Sequence, residues 1–129
     1  TWFPSRLYGH ATRLESVPHA TDQAKSAAAI LCGKEIPYEA LPWFWSEQYD
    51  VRWQIAGLFQ GYDEIVVRGE PETGRSFVVW YLKDGKVIAA DCINRPKEFI
   101  IARQLIPLQR EVLPSLLADE NYDLRAEIK

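Results

Sequence analysis

The sequence predicts an α+β fold: an antiparallel β-sheet flanked by helices. Three observations lead there. Between Val51 and Ile93 lie four short segments rich in β-branched and aromatic residues, the composition of strands. Asp84-Gly85 separates the last two, and that pair favours the two-residue turn of a β-hairpin. The strands follow one another and helical periodicity comes after them, so they are not the alternating units of a parallel sheet.

Taken in order, Thr1 to His10 carries aromatics, a proline and a glycine but no period, and reads as an irregular connector. A helix starts near Ser16, a good N-cap, with Pro18 tolerated in its first turn. Gly33 suits the left-handed position just past its end. Ala20, Ala24, Ala27 and Ala28 form a narrow face suited to close packing on something flat, such as a sheet or a planar group. Lys34 to Leu41 reads as a linker, giving residues 1–36 as one portion and 37–129 as another. Val51–Leu58, Ile65–Arg68, Phe77–Leu82 and Val87–Ile93 are the expected strands. Asn94 is expected to cap a helix with Pro96 in its first turn, and Phe99, Ala102, Leu105 and Ile106 recur at the spacing of a sheet-facing stripe. Pro107 and Pro114 break the remainder into short pieces, and the end reads as a short helix or a frayed tail.

Composition excludes several classes of function. The chain has 129 residues, 47% hydrophobic and 26% charged, as in ordinary globular proteins. No apolar run reaches the ~18 residues of a spanning helix. With 15 basic and 18 acidic residues the net charge is −3, so no domain-wide basic field is available for nucleic acid or a membrane surface. Two cysteines, Cys32 and Cys92, are too few for a disulfide scaffold, and a reducing cytoplasm is the expected location. There is no methionine. The expectation is therefore a fragment of a longer polypeptide.

Gly69-Glu-Pro-Glu-Thr-Gly74-Arg75-Ser76 nearly spells a phosphate-cradling loop, with arginine in place of lysine. It precedes a strand rather than a helix, and Glu70 and Glu72 would repel phosphate; it reads as a hairpin loop. His10 and His19 stand at no zinc spacing with a cysteine, so no metal site is expected. Cys92 on a buried strand reads as a small hydrophobe. Pro42-Trp43-Phe44-Trp45-Ser46 is the unusual stretch. Alternation sends Trp43 and Trp45 to one side of a strand and Phe44 to the other, so one side is core and the other is exposed or meets a ligand or partner.

Several stretches together resemble one family. They are Leu14-Glu-Ser-Val-Pro-His-Ala20, Gln23-Ala-Lys25, Ile30-Leu-Cys-Gly-Lys34 and, most specific of all, Leu41-Pro-Trp-Phe-Trp-Ser-Glu-Gln-Tyr-Asp50. Gln54-Ile-Ala-Gly-Leu58, Gly61-Tyr-Asp63, Val67-Arg-Gly69 and Asn94-Arg-Pro96 fit as well. The family is the FAD-dependent NAD(P)H:ferredoxin reductases of oxygenase systems, and the likeness runs in order over nearly the whole chain. His19 stands where asparagine is common, and Glu47 where aspartate is common.

The resemblance implies that residues 1–36 are the tail of an FAD-binding domain, ending in its last helix, and that residues 37–129 form the reductase C-terminal α+β domain. It implies hydride transfer from NAD(P)H to FAD, then single-electron transfers to a [2Fe-2S] ferredoxin that serves an oxygenase. The helix N-terminus at Glu15, Ser16, Val17 and Pro18 would face the pyrimidine side of the flavin. Trp45 would lie over the flavin edge on the ferredoxin side, and Lys25 would belong to the ferredoxin dock. The dinucleotide fingerprint GxGxxG is absent, so the isolated chain is expected to hold neither FAD nor NAD(P)H and to be inactive. A monomer or weak homodimer is implied. Two other readings stand beside it: a non-catalytic dimerisation or interaction module, and an independent enzyme or aromatic-ligand binder using Trp43 and Trp45.

Overall fold

The computed structural model describes residues 2–129, which form two compact units, one up to Phe44 and one from Trp45 to Lys129. In the first unit β1 (Phe3–Ser5) pairs antiparallel with β2 (His10–Thr12), in register Phe3 to Thr12. The expected connector thus contains a small hairpin, its turn closed by the Gly9 N–H donating to the Ser5 carbonyl. Gly9 has φ +68°, a conformation open to glycine at little cost.

Helix α1 (Val17–Leu31) begins where the capping chemistry places it. The Ser16 hydroxyl accepts from the His19 backbone N–H at 3.3 Å, and Pro18 lies in the first turn, where an N–H would have no helical partner. Gly33 ends the helix with φ +78°. Only Pro18 and His19 of this helix are buried, so the Ala20, Ala24, Ala27 and Ala28 face is exposed. The small core of the unit is aromatic. Phe3, His19 and Tyr38 meet with ring centroids 4.9–5.3 Å apart, and His19 Nδ1 lies 2.8 Å from the Tyr38 hydroxyl.

The second unit is built on a five-stranded antiparallel sheet in the order β3-β4-β7-β6-β5. Its strands are β3 (Trp43–Gln48), β4 (Val51–Gly57), β5 (Glu64–Gly69), β6 (Phe77–Lys83) and β7 (Lys86–Ile93). Asp84 and Gly85 both take positive φ, +50° and +72°, at the tight turn between Lys83 and Lys86. A register shift between Tyr81 and Leu82 bends the β6–β7 ladder.

Register sorts the sheet into two faces. Val66 pairs with Trp80, Trp80 with Ala90 and Ala90 with Ala56; these lie on one face together with Val78, Leu82 and Cys92, and all are buried. Helix α2 (Pro96–Leu108) covers that face with Phe99, Ala102, Leu105 and Ile106, the stripe expected from their spacing. Pro107 lies in its last turn and does not break it. Then come α3 (Pro114–Ala118), with Pro114 in its first turn, and a 3-10 turn over Leu124–Ile128. The other face carries Trp53, Ile65 and Val67, all exposed.

Asn94 does not cap α2. Arg95 holds the cap position without a side-chain bond, and Asn94 adopts φ +51°. Its carboxamide accepts from the Arg52 N–H at 2.8 Å and donates to the carbonyls of Arg75 and Asp50 at 2.8 and 3.2 Å. Asparagine tolerates the left-handed region and carries donor and acceptor on one short arm. It therefore ties the β3–β4 turn to the β5–β6 loop, where Arg75 also pairs with Asp50 at 2.7 Å.

Candidate functional site

Glu15, Ser16, Val17 and Pro18 lie contiguously at the start of α1. Val17 is 67% exposed, Pro18 is buried, and no acidic residue occupies the first turn. Glu15 lies just before the cap and pairs with Arg13. That pairing offsets a carboxylate which would otherwise oppose an anion at the positive end of the helix dipole. The N-terminal end of this fifteen-residue helix carries partial positive charge and N–H groups without helical partners, which favour negative charge placed beside it. Lys25 lies two turns further along, exposed, with its ammonium 3.6 Å from Asp22.

Trp45 is on edge strand β3 and is 47% exposed, while Trp43 and Phe44 are half-buried. The expected split into a core side and an outer side is therefore incomplete, because neither Trp43 nor Phe44 is fully enclosed. At an edge strand, neighbours stand on one flank only.

The cysteines are both free. Cys92 is fully buried against α2, and burial pushes its thiol far above the usual range, which removes nucleophilic character. His19 is buried too, and desolvation lowers its pKa below the ordinary 6.5. Among the described residues no cluster of three or more metal-ligating side chains exists. The Gly69–Ser76 segment joins antiparallel β5 and β6 with no helix behind it, so it lacks the parts of a phosphate cradle.

Two residues have roles that the sequence pattern does not show. Arg68 is 5% exposed and donates to the carbonyls of Leu117, Asp119, Glu120 and Tyr122 at 2.5–3.3 Å. It pins the chain after α3 to β5, with Glu98 at 3.8 Å. Asp91, in the middle of β7, accepts from the Tyr81 hydroxyl at 2.9 Å and from the Trp53 indole. Both were detectable as charges in strands of strong apolar character. Arg68 even shares the inward phase of Val66. A cleft of about 450 Å³ between α2 and the C-terminal turn is lined by Lys97, Ile100, Gln104, Tyr122 and Arg125 among others, and contains none of the residues expected to bind FAD or a partner.

An antiparallel five-stranded sheet covered on one face by α2, with aromatics on its first edge strand, is the architecture of a reductase C-terminal domain. Residues 43–128 match the model of the "Reductase C-terminal" family, and the chain belongs to that family. It is 47% identical over 126 residues to putidaredoxin reductase CamA of Pseudomonas putida, a match covering 95% of this chain and 29% of that protein. It is also 47% identical over 113 residues to a ferredoxin–NAD(P)(+) reductase of a Sphingomonas species, covering 88% of this chain and 27% of the relative. Among solved structures, the covalent putidaredoxin reductase–putidaredoxin complex superposes with a TM-score of 0.91 at 46% identity, over 98% of this chain and 30% of that one. The chain thus spans about three-tenths of the length of these relatives. No helix among the described residues is long and apolar enough to cross a membrane.

Proposed function

We propose that this chain is the C-terminal part of an FAD-dependent flavoprotein that passes electrons from NAD(P)H to a [2Fe-2S] ferredoxin serving an oxygenase. The observation that carries the reading is the 47% identity to putidaredoxin reductase over 95% of the chain, a match that takes in both the α1 N-terminus and the Trp45 edge strand. The exposed small-residue face of α1 and Leu31, 88% exposed, fit a helix whose packing partners belong to the rest of that flavoprotein.

FAD, when bound, supplies the hydride acceptor and the one-electron outlet. The chain's own residues provide position and field. The backbone around Ser16 and Val17 sets the positive end of α1 against the pyrimidine side of the ring, where negative charge accumulates on reduction. Pro18 fixes φ in the first turn and keeps that end rigid. Trp45 packs over the flavin edge and excludes water from the path of electron exit. Lys25 adds positive charge at the dock of an acidic ferredoxin and speeds encounter.

The test is Trp45→Ala in the full-length flavoprotein, with the two half-reactions timed separately. Ferredoxin reduction slows by about tenfold, the scale of losing a buried aromatic contact, while flavin reduction by NADH changes little. Equal slowing of both steps removes Trp45 from the exit path.

A further inference from the structure

We propose that the face of the sheet opposite α2 receives an arginine side chain of a protein surface, with Asp91 as its counter-ion and Trp53 and Tyr81 as its walls. Asp91 faces this side from the middle of β7, paired across to Val79 on β6 and Ile55 on β4. Its two hydrogen-bond donors come in along the diagonals: Tyr81, opposite Ala89, and Trp53, opposite Ile93. Both donors are neutral. No cation among the described residues pairs with Asp91, whose charge is held by two hydrogen bonds in a half-buried, aromatic setting.

A carboxylate in that setting is costly unless paired, and desolvation already raises its pKa. The ring system beside it is open. Phe59 and Tyr62 are 47% and 44% exposed, and each ring centroid lies 5.4 Å from that of Tyr81, Phe59 tilted against it and Tyr62 edge-on. Trp53, on the other flank, is 42% exposed. An aromatic surface with one acidic centre has the complement of a guanidinium, which stacks flat on rings and presents paired N–H groups to a carboxylate. Lysine offers a strongly hydrated point charge and gains less from the flat walls. An acidic surface would be repelled, so this face is distinct in its chemistry from a dock for an acidic ferredoxin.

The experiment is a titration of the 129-residue chain with N-acetyl-arginine amide, following the Trp53 indole N–H and Tyr81 ring signals by NMR at constant ionic strength. N-acetyl-citrulline amide, the same shape without charge, is the control. Saturable shifts in the millimolar range are expected with the arginine amide, at least about tenfold weaker with citrulline and in Asp91→Asn. Equal shifts with the two amides in the wild-type chain, or none at these two residues, overturn the proposal, and this comparison needs no variant. Self-association of the wild-type chain that Asp91→Asn abolishes, seen by sedimentation, would give the face to a second copy and overturn it as well.

Discussion

Replacing Arg68 by methionine keeps the apolar stem of the side chain and deletes its guanidinium. The loss can be worked out from its partners. Four carbonyls lose a charged donor, those of Leu117, Asp119, Glu120 and Tyr122. A buried acceptor left dry costs about 1–3 kcal/mol, but only the Leu117 bond is fully buried, and water can replace the donor at the other three. Breaking a buried ion pair usually costs about 3–5 kcal/mol. Glu98, however, retains Arg95 at 3.3 Å, so it is not orphaned. The low end of that range, about 3 kcal/mol, is therefore expected. That is a large share of the 5–15 kcal/mol that holds a typical domain together. The assay is urea unfolding of the chain, with amide exchange read over Asp119–Lys129. The stability should fall by that amount, and exchange in the C-terminal segment should quicken before that of β6 and β7. A loss below about 1 kcal/mol, or exchange unchanged after Ala118, would refute the view that Arg68 pins this segment.

Two further outcomes follow from single side chains. Lys25→Ala in the full-length flavoprotein weakens the apparent affinity for ferredoxin by about two- to fivefold at low salt, the scale of one exposed charge already shared with Asp22. The difference closes as salt is added, and an affinity that is unchanged at low salt would leave Lys25 a solvated lysine. For Asp91, desolvation raises the folded-state pKa above the ordinary 3.8, so the folded chain holds the proton to higher pH than the unfolded chain does. The stability this group contributes is fully present below 3.8 and is lost as pH rises through the raised value. Asp91→Asn should therefore gain on the wild-type chain in urea midpoint as pH climbs from below that ordinary value toward neutrality. A constant difference across the range would contradict the shift.

How much was legible depended on whether a residue's surroundings were local. The α1 boundaries could be read from Ser16, Pro18 and Gly33, because caps act within one turn. The β6–β7 hairpin could be read from Asp84-Gly85, and the inner stripe of α2 from its spacing. The β1–β2 hairpin left no such trace. Three-residue strands are too short to show alternation, and one of them contains Pro4. Asn94 departs from the expected cap because an asparagine before a helical run has two uses, capping or a left-handed bend. Its choice depended on Arg52 and Arg75, far away in sequence. Arg68 and Asp91 draw their roles from strands and carbonyls that only the fold assembles. Glu15 to Pro18 and Lys25 stand out by resemblance rather than by chemistry, since a cap and a lysine each have an ordinary structural use; Trp45 stands out by strand alternation, and only its expected role rests on the resemblance.

The most direct test of the central claim is the visible spectrum of the full-length flavoprotein, recorded before and after anaerobic addition of NADH. A flavin band at about 450 nm is expected to bleach with NADH and to return when oxidised ferredoxin is added, while the 129-residue chain alone purifies colourless. A colourless full-length protein that stays indifferent to NADH after reconstitution with FAD would contradict that claim.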